Sequence, residues 1–322
     1  MIIVTGGAGF IGSAFVAKLN ENNINDILIV DNLRSGEKWK NLVGKKYEEF
    51  VNKADFLKFL EANRWHNIEA IVHLGASSST TEKDADYLME NNIHYTLKLM
   101  DWALKRNIRF IYASSAATYG NGSQGYSDNH KDIPNLRPLN MYGYSKQFVD
   151  EFVLAHDLQE RVVGLKFFNV FGPNEYHKEN QTSVVVKAFQ QIKETGKVKL
   201  FKSNIPEYKD GEQLRDFVYV KDVVDVIWWL LNSKDVNGIF NIGTGQARTW
   251  VDLVSATFKA LNVKTNIEFI DMPEHLKGKY QYFTQAEMGK LMRAGCPVTF
   301  SKLEDAVEDF VKNYLNKENP YY

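Results

Sequence analysis

The sequence has little cysteine, no long apolar run and almost no net charge. Its 322 residues include one cysteine, which excludes an internal disulfide and is typical of a reducing compartment. The longest apolar run, residues 226–231, is far too short to cross a bilayer. A net charge of −1 gives none of the basic excess that nucleic-acid-binding proteins carry. We therefore expect a globular, cytoplasmic protein without a membrane or nucleic-acid partner.

Metal-binding and nucleotide-hydrolysing motifs are also missing from the sequence. The seven histidines are scattered without the spacing of zinc ligands, so we expect no metal site. No Gly-Lys-Ser/Thr phosphate loop is present, which argues against ATP hydrolysis. His73 ends an apolar run and is expected to be a hydrogen-bonded core residue rather than a ligand.

A glycine-rich turn follows an apolar run at the start of the sequence. Residues 2–4 are typical of a buried parallel strand, and Gly6, Gly9 and Gly12 follow at a spacing of three. Glycines allow a tight strand-to-helix turn and let a pyrophosphate approach the backbone. The helix predicted to open near Phe10 would direct its free N–H groups at that phosphate. The order of these features predicts a dinucleotide-binding turn.

A second apolar run, residues 27–30, ends at Asp31, where a carboxylate would meet the adenosine ribose. Asp31 would repel a 2′-phosphate and therefore favours NAD over NADP. Lys38, Lys53 and Arg34, which we expect in the following loops, could supply compensating positive charge. The residues themselves leave the choice between NAD and NADP open.

Strand-like and helix-like segments alternate over the first half of the chain. Further strands are predicted at 70–74, 110–113 and 162–167, with helices at about 84–105 and 141–156. This alternation predicts an α/β fold with a Rossmann-type, doubly wound parallel sheet. We expect a dinucleotide-binding domain over residues 1–168 and a smaller C-terminal α/β substrate domain over 169–322. The chain is expected to return to the first domain near 215–243.

A tyrosine and a lysine share one face of the helix predicted at 141–156. Tyr142 and Lys146 are four residues apart, and Ser115, after the preceding strand, adds a hydroxyl group. Tyrosine is a poor base at its ordinary pKa of about 10, and a nearby lysine ammonium group, with the positive nicotinamide ring, favours the phenolate and lowers that pKa. The three residues predict hydride transfer from an alcohol carbon, with Tyr142 taking the hydroxyl proton.

The glycine turn at residues 5–12 and the tyrosine–lysine pair resemble the extended short-chain dehydrogenase/reductases that act on nucleotide sugars. Over nearly the whole chain the sequence is further similar to the ADP-L-glycero-D-manno-heptose 6-epimerase family. The pair His177-Lys178 and the segment around Tyr280 are the most discriminating parts. Other segments that carry the resemblance are 31–33, 78–82, 113–120, 168–170, 215–220 and 283–286.

The resemblance implies an isomerase that inverts C6 of the heptose in an ADP-heptose through a 6-keto intermediate, for lipopolysaccharide inner-core synthesis. It implies NADP as cofactor and a homo-pentamer. The cofactor contacts that it implies, together with the glycine turn, are Gly6, Gly9, Phe10, Ile11, Gly12, Asp31, Asn32, Lys38, Lys53, Leu74, Gly75, Ala76, Ser77, Ser78, Asn91, Lys146, Val170 and Lys178. The substrate contacts are Ser79, Asn169, Asn180, Lys187, Phe201, Arg215 and Tyr280. Asn180 and Lys187 depart from the family, which usually has a small hydroxyl residue and a histidine there.

Lys178 is predicted to be a second acid/base. C6 of a heptose is exocyclic, so rotation about the C5–C6 bond presents the opposite face of the ketone to the same hydride donor. The rotation moves the carbonyl oxygen away from Tyr142, and the alkoxide formed there needs its own proton donor. His177-Lys178 follows the Gly172-Pro173 break, past the last predicted strand of the first domain, on the ligand side of such sheets.

Two other functions are compatible with parts of the pattern. The first is another nucleotide-sugar enzyme, such as a UDP-hexose 4-epimerase or a 4,6-dehydratase. A dehydratase would have an acidic pair where Ala116-Ala117 stands, which argues against that reaction. The second is a non-catalytic dinucleotide-binding protein, and such proteins commonly lose the tyrosine or the lysine that this sequence keeps.

Overall fold

A computed structural model describes residues 1–274 and 281–322 of the chain. The strands are β1 (Ile2–Thr5), β2 (Ile27–Asp31), β3 (Glu49–Asn52), β4 (Ala70–His73), β5 (Arg109–Ser115), β6 (Val162–Phe167), β7 (Asn169–Phe171), β8 (Val198–Phe201), β9 (Leu214–Tyr219), β10 (Gly238–Ile242), β11 (Ala247–Thr249) and β12 (Ile267–Ile270). The α-helices are α1 (Phe10–Glu21), α2 (Lys53–Glu61), α3 (Ala85–Leu88), α4 (Tyr95–Leu104), α5 (Met141–Ala155), α6 (Val184–Thr195), α7 (Val220–Asn232), α8 (Trp250–Ala260), α9 (Gly289–Arg293) and α10 (Leu303–Phe310).

Seven strands form one parallel sheet in the order β10-β6-β5-β4-β1-β2-β3. Successive residues of β1 point to opposite faces, so Ile2 and Val4 join one hydrophobic core while Ile3 joins the other. Helices cover both faces, which confirms the predicted α/β, doubly wound fold. The strand order reverses between β1 and β4, and a crevice for ligands forms at the carboxyl ends of strands at such a point.

The second half of the chain adds two small sheets before and after it rejoins the large one. β7, β9 and β11 form a three-stranded sheet, and β8 pairs with β12. β10 returns to the edge of the seven-stranded sheet, where it pairs with β6 in parallel. The division of the chain into domains at residue 168 stays a prediction.

Three local expectations differ from the structure. Strand β3 has no counterpart among the predicted strands, because a short, half-exposed edge strand carries little apolar pattern. Lys53, expected in a loop, is the first residue of α2, which the Asn52 side chain caps by accepting from the Ala54 N–H at 3.0 Å. The helix expected at 84–105 is interrupted by a π-helical turn, Met89–His94, a feature found mostly at functional sites.

The π-helical turn brings Asn92 against the loop that follows β4. Its side chain accepts from the Ser77 N–H at 2.9 Å and donates to the Ser77 carbonyl at 3.0 Å. It also donates to the Ser145 hydroxyl of α5 at 3.0 Å. These bonds tie the loop after β4 to α5, and no local sequence pattern encodes a contact over such separations.

His73 is a core residue, as expected. The ring is 1% exposed, with Nδ1 2.6 Å from the Thr5 hydroxyl and Nε2 2.8 Å from the Thr96 hydroxyl. Burial, reinforced by the charges of Lys146 and Lys53, lowers the pKa of His73 to about 3. The ring is therefore neutral at physiological pH, and both nitrogens are used within the core.

We predict that Gly12→Ala lowers the free energy of unfolding by about 1–3 kcal/mol, the usual cost of overpacking. The added Cβ would lie 2.0 Å from the Gly6 carbonyl oxygen, so the backbone itself must move. Gly36→Ala is the matched control, because its Cβ would meet no atom within 4 Å. Urea unfolding of the ligand-free proteins measures both, and equal midpoints for the two variants would contradict the prediction.

Candidate active site

A cavity of about 1540 Å³ opens along the carboxyl ends of the central strands. Every residue that the sequence suggested for the cofactor lies in its wall, as do Ser115, Tyr142, Ser79 and Asn169. The wall thus combines the ends of β1, β2, β4 and β5 with the start of α5 and the segment after β7. The structure brings these residues to one place, and their individual roles stay predictions.

The floor of the cavity is built from backbone packed on backbone. Gly6 has φ +67°, and a Cβ there would lie 2.6 Å from the Gly75 nitrogen at the end of β4. A Cβ on Gly9 would lie 3.0 Å from the Gly6 carbonyl oxygen. This close approach places the first turn of α1, beginning at Phe10, directly at the cavity. The first N–H groups of an α-helix have no acceptor within the helix, so this end is suited to a pyrophosphate.

Asp31 is fixed by three donors at the end of β2. Its Oδ2 accepts from the Ala8 N–H at 2.9 Å, and its Oδ1 accepts from the Asn32 N–H at 2.6 Å. The Lys38 ammonium group forms an ion pair with Oδ1 at 2.5 Å. The carboxylate is 8% exposed, so this pair balances a largely buried negative charge where a ribose would bind.

Lys53 and Asn91 lie together in the cavity wall. The Lys53 ammonium group donates to the Asn91 side-chain oxygen and lies 5.9 Å from the centre of the Tyr95 ring. Asn91 belongs to the π-helical turn, and Lys53 begins α2 beside β3. Two elements that the sequence did not predict, the π-helical turn and β3, therefore place this pair.

Tyr142, Lys146 and Ser115 come together at the junction of β5 and α5. Asn140 caps α5 by accepting from the Gly143 N–H at 2.8 Å, so the helix starts just before Tyr142. Ser115, the last residue of β5, forms a side-chain hydrogen bond with Tyr142. Lys146 is 3% exposed, and its ammonium group donates to the Ala113 carbonyl at 2.7 Å.

Burial governs the proton affinities of the tyrosine and the lysine. It raises the pKa of Tyr142, and the hydrogen bond with Ser115 opposes that rise. It lowers the pKa of Lys146 to about 8, and the charge of Asp150 opposes that fall. In the chain by itself the pKa of Tyr142 is therefore raised, and its lowering by Lys146 together with a bound nicotinamide stays a prediction.

Lys178 lies in the same cavity wall, within the 3₁₀ helix Tyr176–Gln181. Its ammonium nitrogen is 4.7 Å from the centre of the Phe10 ring. Burial lowers the pKa of Lys178, and the buried carboxylate of Glu175 opposes that change. Glu175 is itself held by the Gly172 N–H at 3.2 Å and the Ser183 hydroxyl at 2.7 Å.

Asn41 connects the segment that carries Lys178 to the glycine turn. Its side chain donates to the Ala8 carbonyl at 2.9 Å and to the Asn174 carbonyl at 3.0 Å. Its amide nitrogen also lies 3.2 Å from Nδ1 of His177. Burial and the charges of Lys38 and Lys178 lower the pKa of His177 to about 4. The neutral ring therefore adds no positive charge to this end of the cavity at neutral pH.

Several cavity residues were not singled out from the sequence. They are Tyr87, Tyr95, Tyr176, Gln181 and Tyr321. Tyr176 and Gln181 flank Lys178 in one 3₁₀ helix, and that proximity was the available signal. Tyr321 gives no such signal, because only tertiary packing against Tyr176, with ring centres 5.4 Å apart, brings the last residues of the chain here.

Three of the other expected substrate residues lie outside the described cavity wall. Lys187 lies in α6, Phe201 ends β8, and Arg215 lies in β9. The Arg215 guanidinium donates to the Leu214 carbonyl at 2.8 Å and to the Gln281 carbonyl. Tyr280 and the side chain of Asn180 lie outside the described residues. Substrate contacts by all five residues stay predictions.

Within residues 1–274 and 281–322, no group of three or more histidine, cysteine, aspartate or glutamate side chains is arranged to hold a metal ion. No helix in those ranges is both long and apolar enough to span a membrane.

Comparison with known proteins identifies the family of this chain. Residues 2–243 match the NAD dependent epimerase/dehydratase family. Curated proteins named ADP-L-glycero-D-manno-heptose-6-epimerase are 54% identical over 322 residues in Nitratidesulfovibrio vulgaris and 50% identical over 331 residues in Fusobacterium nucleatum, with full coverage of both chains in each case. The crystal structure of the Helicobacter pylori protein of that name aligns with a TM-score of 0.81 at 32% identity, covering 97% of this chain and 95% of that one. With this fold and site, the chain belongs to the NAD dependent epimerase/dehydratase family and, within it, to the ADP-L-glycero-D-manno-heptose-6-epimerases.

Proposed function

We propose that this protein converts ADP-D-glycero-D-manno-heptose to its L-glycero epimer through a 6-keto intermediate, with a nicotinamide dinucleotide cofactor. The observation that carries the proposal is the shared cavity wall, which joins the glycine turn to Ser115, Tyr142 and Lys146. The substrate follows from full-length relatives named for this reaction. The L-glycero product would be a precursor for lipopolysaccharide inner-core synthesis, as the sequence resemblance implies.

The cavity fits a dinucleotide cofactor. The glycine positions leave no room for side chains between β1, β4 and α1, and the start of α1 is available for the pyrophosphate. In this proposal Asp31 and Lys38 would meet the adenosine ribose, and Lys146 would meet the second ribose. A bound nicotinamide would supply reversible hydride transfer with the substrate carbon.

We infer that the cofactor is NADP rather than NAD. The ion pair with Lys38 offsets the charge by which Asp31 would repel a 2′-phosphate. The exposed Arg34, which donates to the Tyr87 hydroxyl at 3.2 Å, adds a second cation to the same end of the cavity. NAD is the alternative cofactor, because the Asp31 carboxylate would accept a hydrogen bond from the free 2′-hydroxyl of NAD.

Tyr142 is the base that takes the proton from the C6 hydroxyl in this proposal. Burial raises the pKa of its phenol, which opposes this role, and the hydrogen bond with Ser115 partly offsets that rise. The Lys146 ammonium group stabilises the phenolate by its charge. Lys178 serves the oxygen position reached after rotation about C5–C6, and its lowered pKa favours proton exchange nearer to neutral pH.

A UDP-hexose 4-epimerase is the second candidate. The crystal structure of UDP-glucose 4-epimerase from Thermotoga maritima with UDP-glucose aligns with a TM-score of 0.77 at 27% identity, covering 95% of this chain and 96% of that one. Parallel assays with ADP-heptose and UDP-glucose separate the two functions, and turnover of UDP-glucose alone would reject the heptose. The homo-pentamer and the cytoplasmic location that the sequence suggested stay predictions.

Lys38→Met is expected to weaken NADP binding by roughly tenfold or more, since it removes a charge-assisted contact. NAD binding should change less, because NAD carries no 2′-phosphate. Titration calorimetry with both nucleotides measures the difference, and Lys40→Met, which removes a lysine paired with Glu37 on the same segment, is the control. Release of NAD alone from the isolated protein on denaturation would contradict the assignment.

Tyr142→Phe is expected to lower kcat for ADP-heptose epimerisation by ~10²–10⁴, the usual effect of losing a general acid/base. The fold and the bound nucleotide should be retained, because the hydroxyl alone is removed. Tyr144→Phe makes the same change on the exposed side of α5 and should keep its activity. Near-normal turnover by Tyr142→Phe would reject the role of Tyr142.

Lys178→Met is expected to abolish epimerisation from both epimers while the nucleotide stays bound. The physical reason is that one residue cannot serve both oxygen positions, so the position reached after rotation about C5–C6 loses its proposed proton donor. The assay starts from each epimer separately, with a labelled C6 hydrogen, and Lys193→Met on the exposed side of α6 is the control. Full activity from both epimers would mean that Tyr142 or a water serves both oxygen positions.

A further inference from the structure

An ion pair with no solvent access lies beneath the tyrosine–lysine pair. Asp150 follows Lys146 by one helical turn in α5, and its Oδ2 lies 2.6 Å from the Lys166 ammonium group of β6. Both side chains have 0% exposure. Replacing a fully buried ion pair by apolar residues is often neutral or stabilising, so stability alone gives no reason for this pair.

Asp150 also accepts two hydrogen bonds from β5. The Ser114 hydroxyl donates to Oδ2 at 2.6 Å, and the Tyr112 hydroxyl donates to Oδ1 at 2.9 Å. Ala113, between these two residues, provides the carbonyl that the Lys146 ammonium group contacts at 2.7 Å. One carboxylate therefore fixes α5 over the part of β5 on which Lys146 rests.

Lys166 extends the network to Ser115. Its ammonium group donates to the Thr118 hydroxyl at 2.8 Å, and that hydroxyl donates to the Ser115 carbonyl at 2.8 Å. Thr118 is completely buried, so neither bond competes with water. Ser115 in turn bonds to Tyr142, and the chain of contacts from Asp150 thus reaches both partners of the tyrosine.

We propose that Asp150 and Lys166 are positioning residues, which hold Lys146 and Ser115 in register with Tyr142. Neither touches the cavity, and both act through residues that line it. The inference rests on the proposed function, because it assigns these two residues to the same catalytic set.

The charge of Asp150 also supports the ammonium form of Lys146. Asp150 lies on the same helix as Lys146. Lys166, on β6, forms an ion pair with Asp150. His73, on β4, is neutral because its pKa is low. Tyr142, on the same helix, and Tyr112, on β5, both have raised pKa values because they are buried. Asp150 is therefore the carboxylate that opposes the effect of burial, and without it the pKa of Lys146 falls.

The expected pH dependence follows from the direction in which the Lys146 pKa changes. A lower Lys146 pKa means less ammonium at neutral pH, and less ammonium stabilises the Tyr142 phenolate less. The enzyme form that carries the phenolate and the ammonium group together is then rarer, and both limbs of the pH–rate profile move. A loss of stability alone lowers the rate without moving the limbs.

The test uses the double variant Asp150→Asn/Lys166→Met, which removes both charges together. Lysine labelled with ¹³C at Cε reports the Lys146 titration by NMR in the ligand-free protein, with the resonance assigned by Lys146→Arg. We expect the Lys146 pKa to fall, because Asp150 is one helical turn from Lys146 and its carboxylate is the charge that opposes the effect of burial. We expect kcat to fall by about tenfold or more with KM changed less, since transition-state interactions are lost.

Three further variants separate positioning from folding. Thr118→Val keeps every charge and removes the link to Ser115, so kcat should fall while the Lys146 pKa stays unchanged. Asp222→Asn is the control, since it alters a buried carboxylate that holds Ser301 on the far side of α7, and it should change neither readout. If the double variant does not fold, Asp150→Glu, which keeps the charge but shifts its position, is measured by the same two readouts. We then expect a lower kcat with a Lys146 pKa close to that of the wild type.

An unchanged Lys146 pKa together with an unchanged pH–rate profile in the folded double variant would overturn the inference. If that variant does not fold, an unchanged kcat in both Asp150→Glu and Thr118→Val would do the same. The NMR titration needs no substrate, so its result stands whether or not the wild type turns over ADP-heptose. Failure of the proposed function, seen as an inactive wild type, is thus distinguishable from failure of this inference.

Discussion

The close backbone approach of β1 to β4 is the constraint on which the site depends. Gly6 packs its backbone against Gly75, and Gly12 packs against the carbonyl of Gly6. Any side chain at these positions would separate the strand ends from α1. The cavity at the strand ends exists because the first turn of α1 begins so close to β1 and β4. The same close packing leaves space for a ligand between β1 and β4, where the strand order of the sheet reverses.

Three lysines around this cavity each have a carboxylate nearby. Lys38 pairs with Asp31, Lys146 is influenced by Asp150, and Lys178 is influenced by Glu175. An ammonium group loses hydration when it is buried, and a neighbouring negative charge keeps the protonated form accessible. The wall can therefore hold several cations at the places where phosphate, ribose and substrate oxygens are expected, without a large net charge.

The relatives support a shared architecture more broadly than a shared substrate. The Helicobacter pylori and Thermotoga maritima proteins both align over nearly the whole chain, although their names give different nucleotide sugars. The glycine turn and the tyrosine–lysine pair lie in the first half of the chain, where the large sheet forms. Residues expected to read the sugar lie mainly in the second half, outside the described cavity wall. Substrate choice is thus the property that the geometry constrains least.

The sequence by itself determined the strand–glycine–helix order, the parallel α/β sheet and the spacing of Tyr142 and Lys146, because these depend on neighbours within one or two turns of chain. Only the tertiary structure decided the position of β3, the π-helical turn and the contact of Tyr321 with Tyr176, which depend on packing between distant segments. It also decided that the pKa of Tyr142 rises, since burial is set by the whole fold. The sequence could place a lysine beside a tyrosine, but it could not show how much water both would lose.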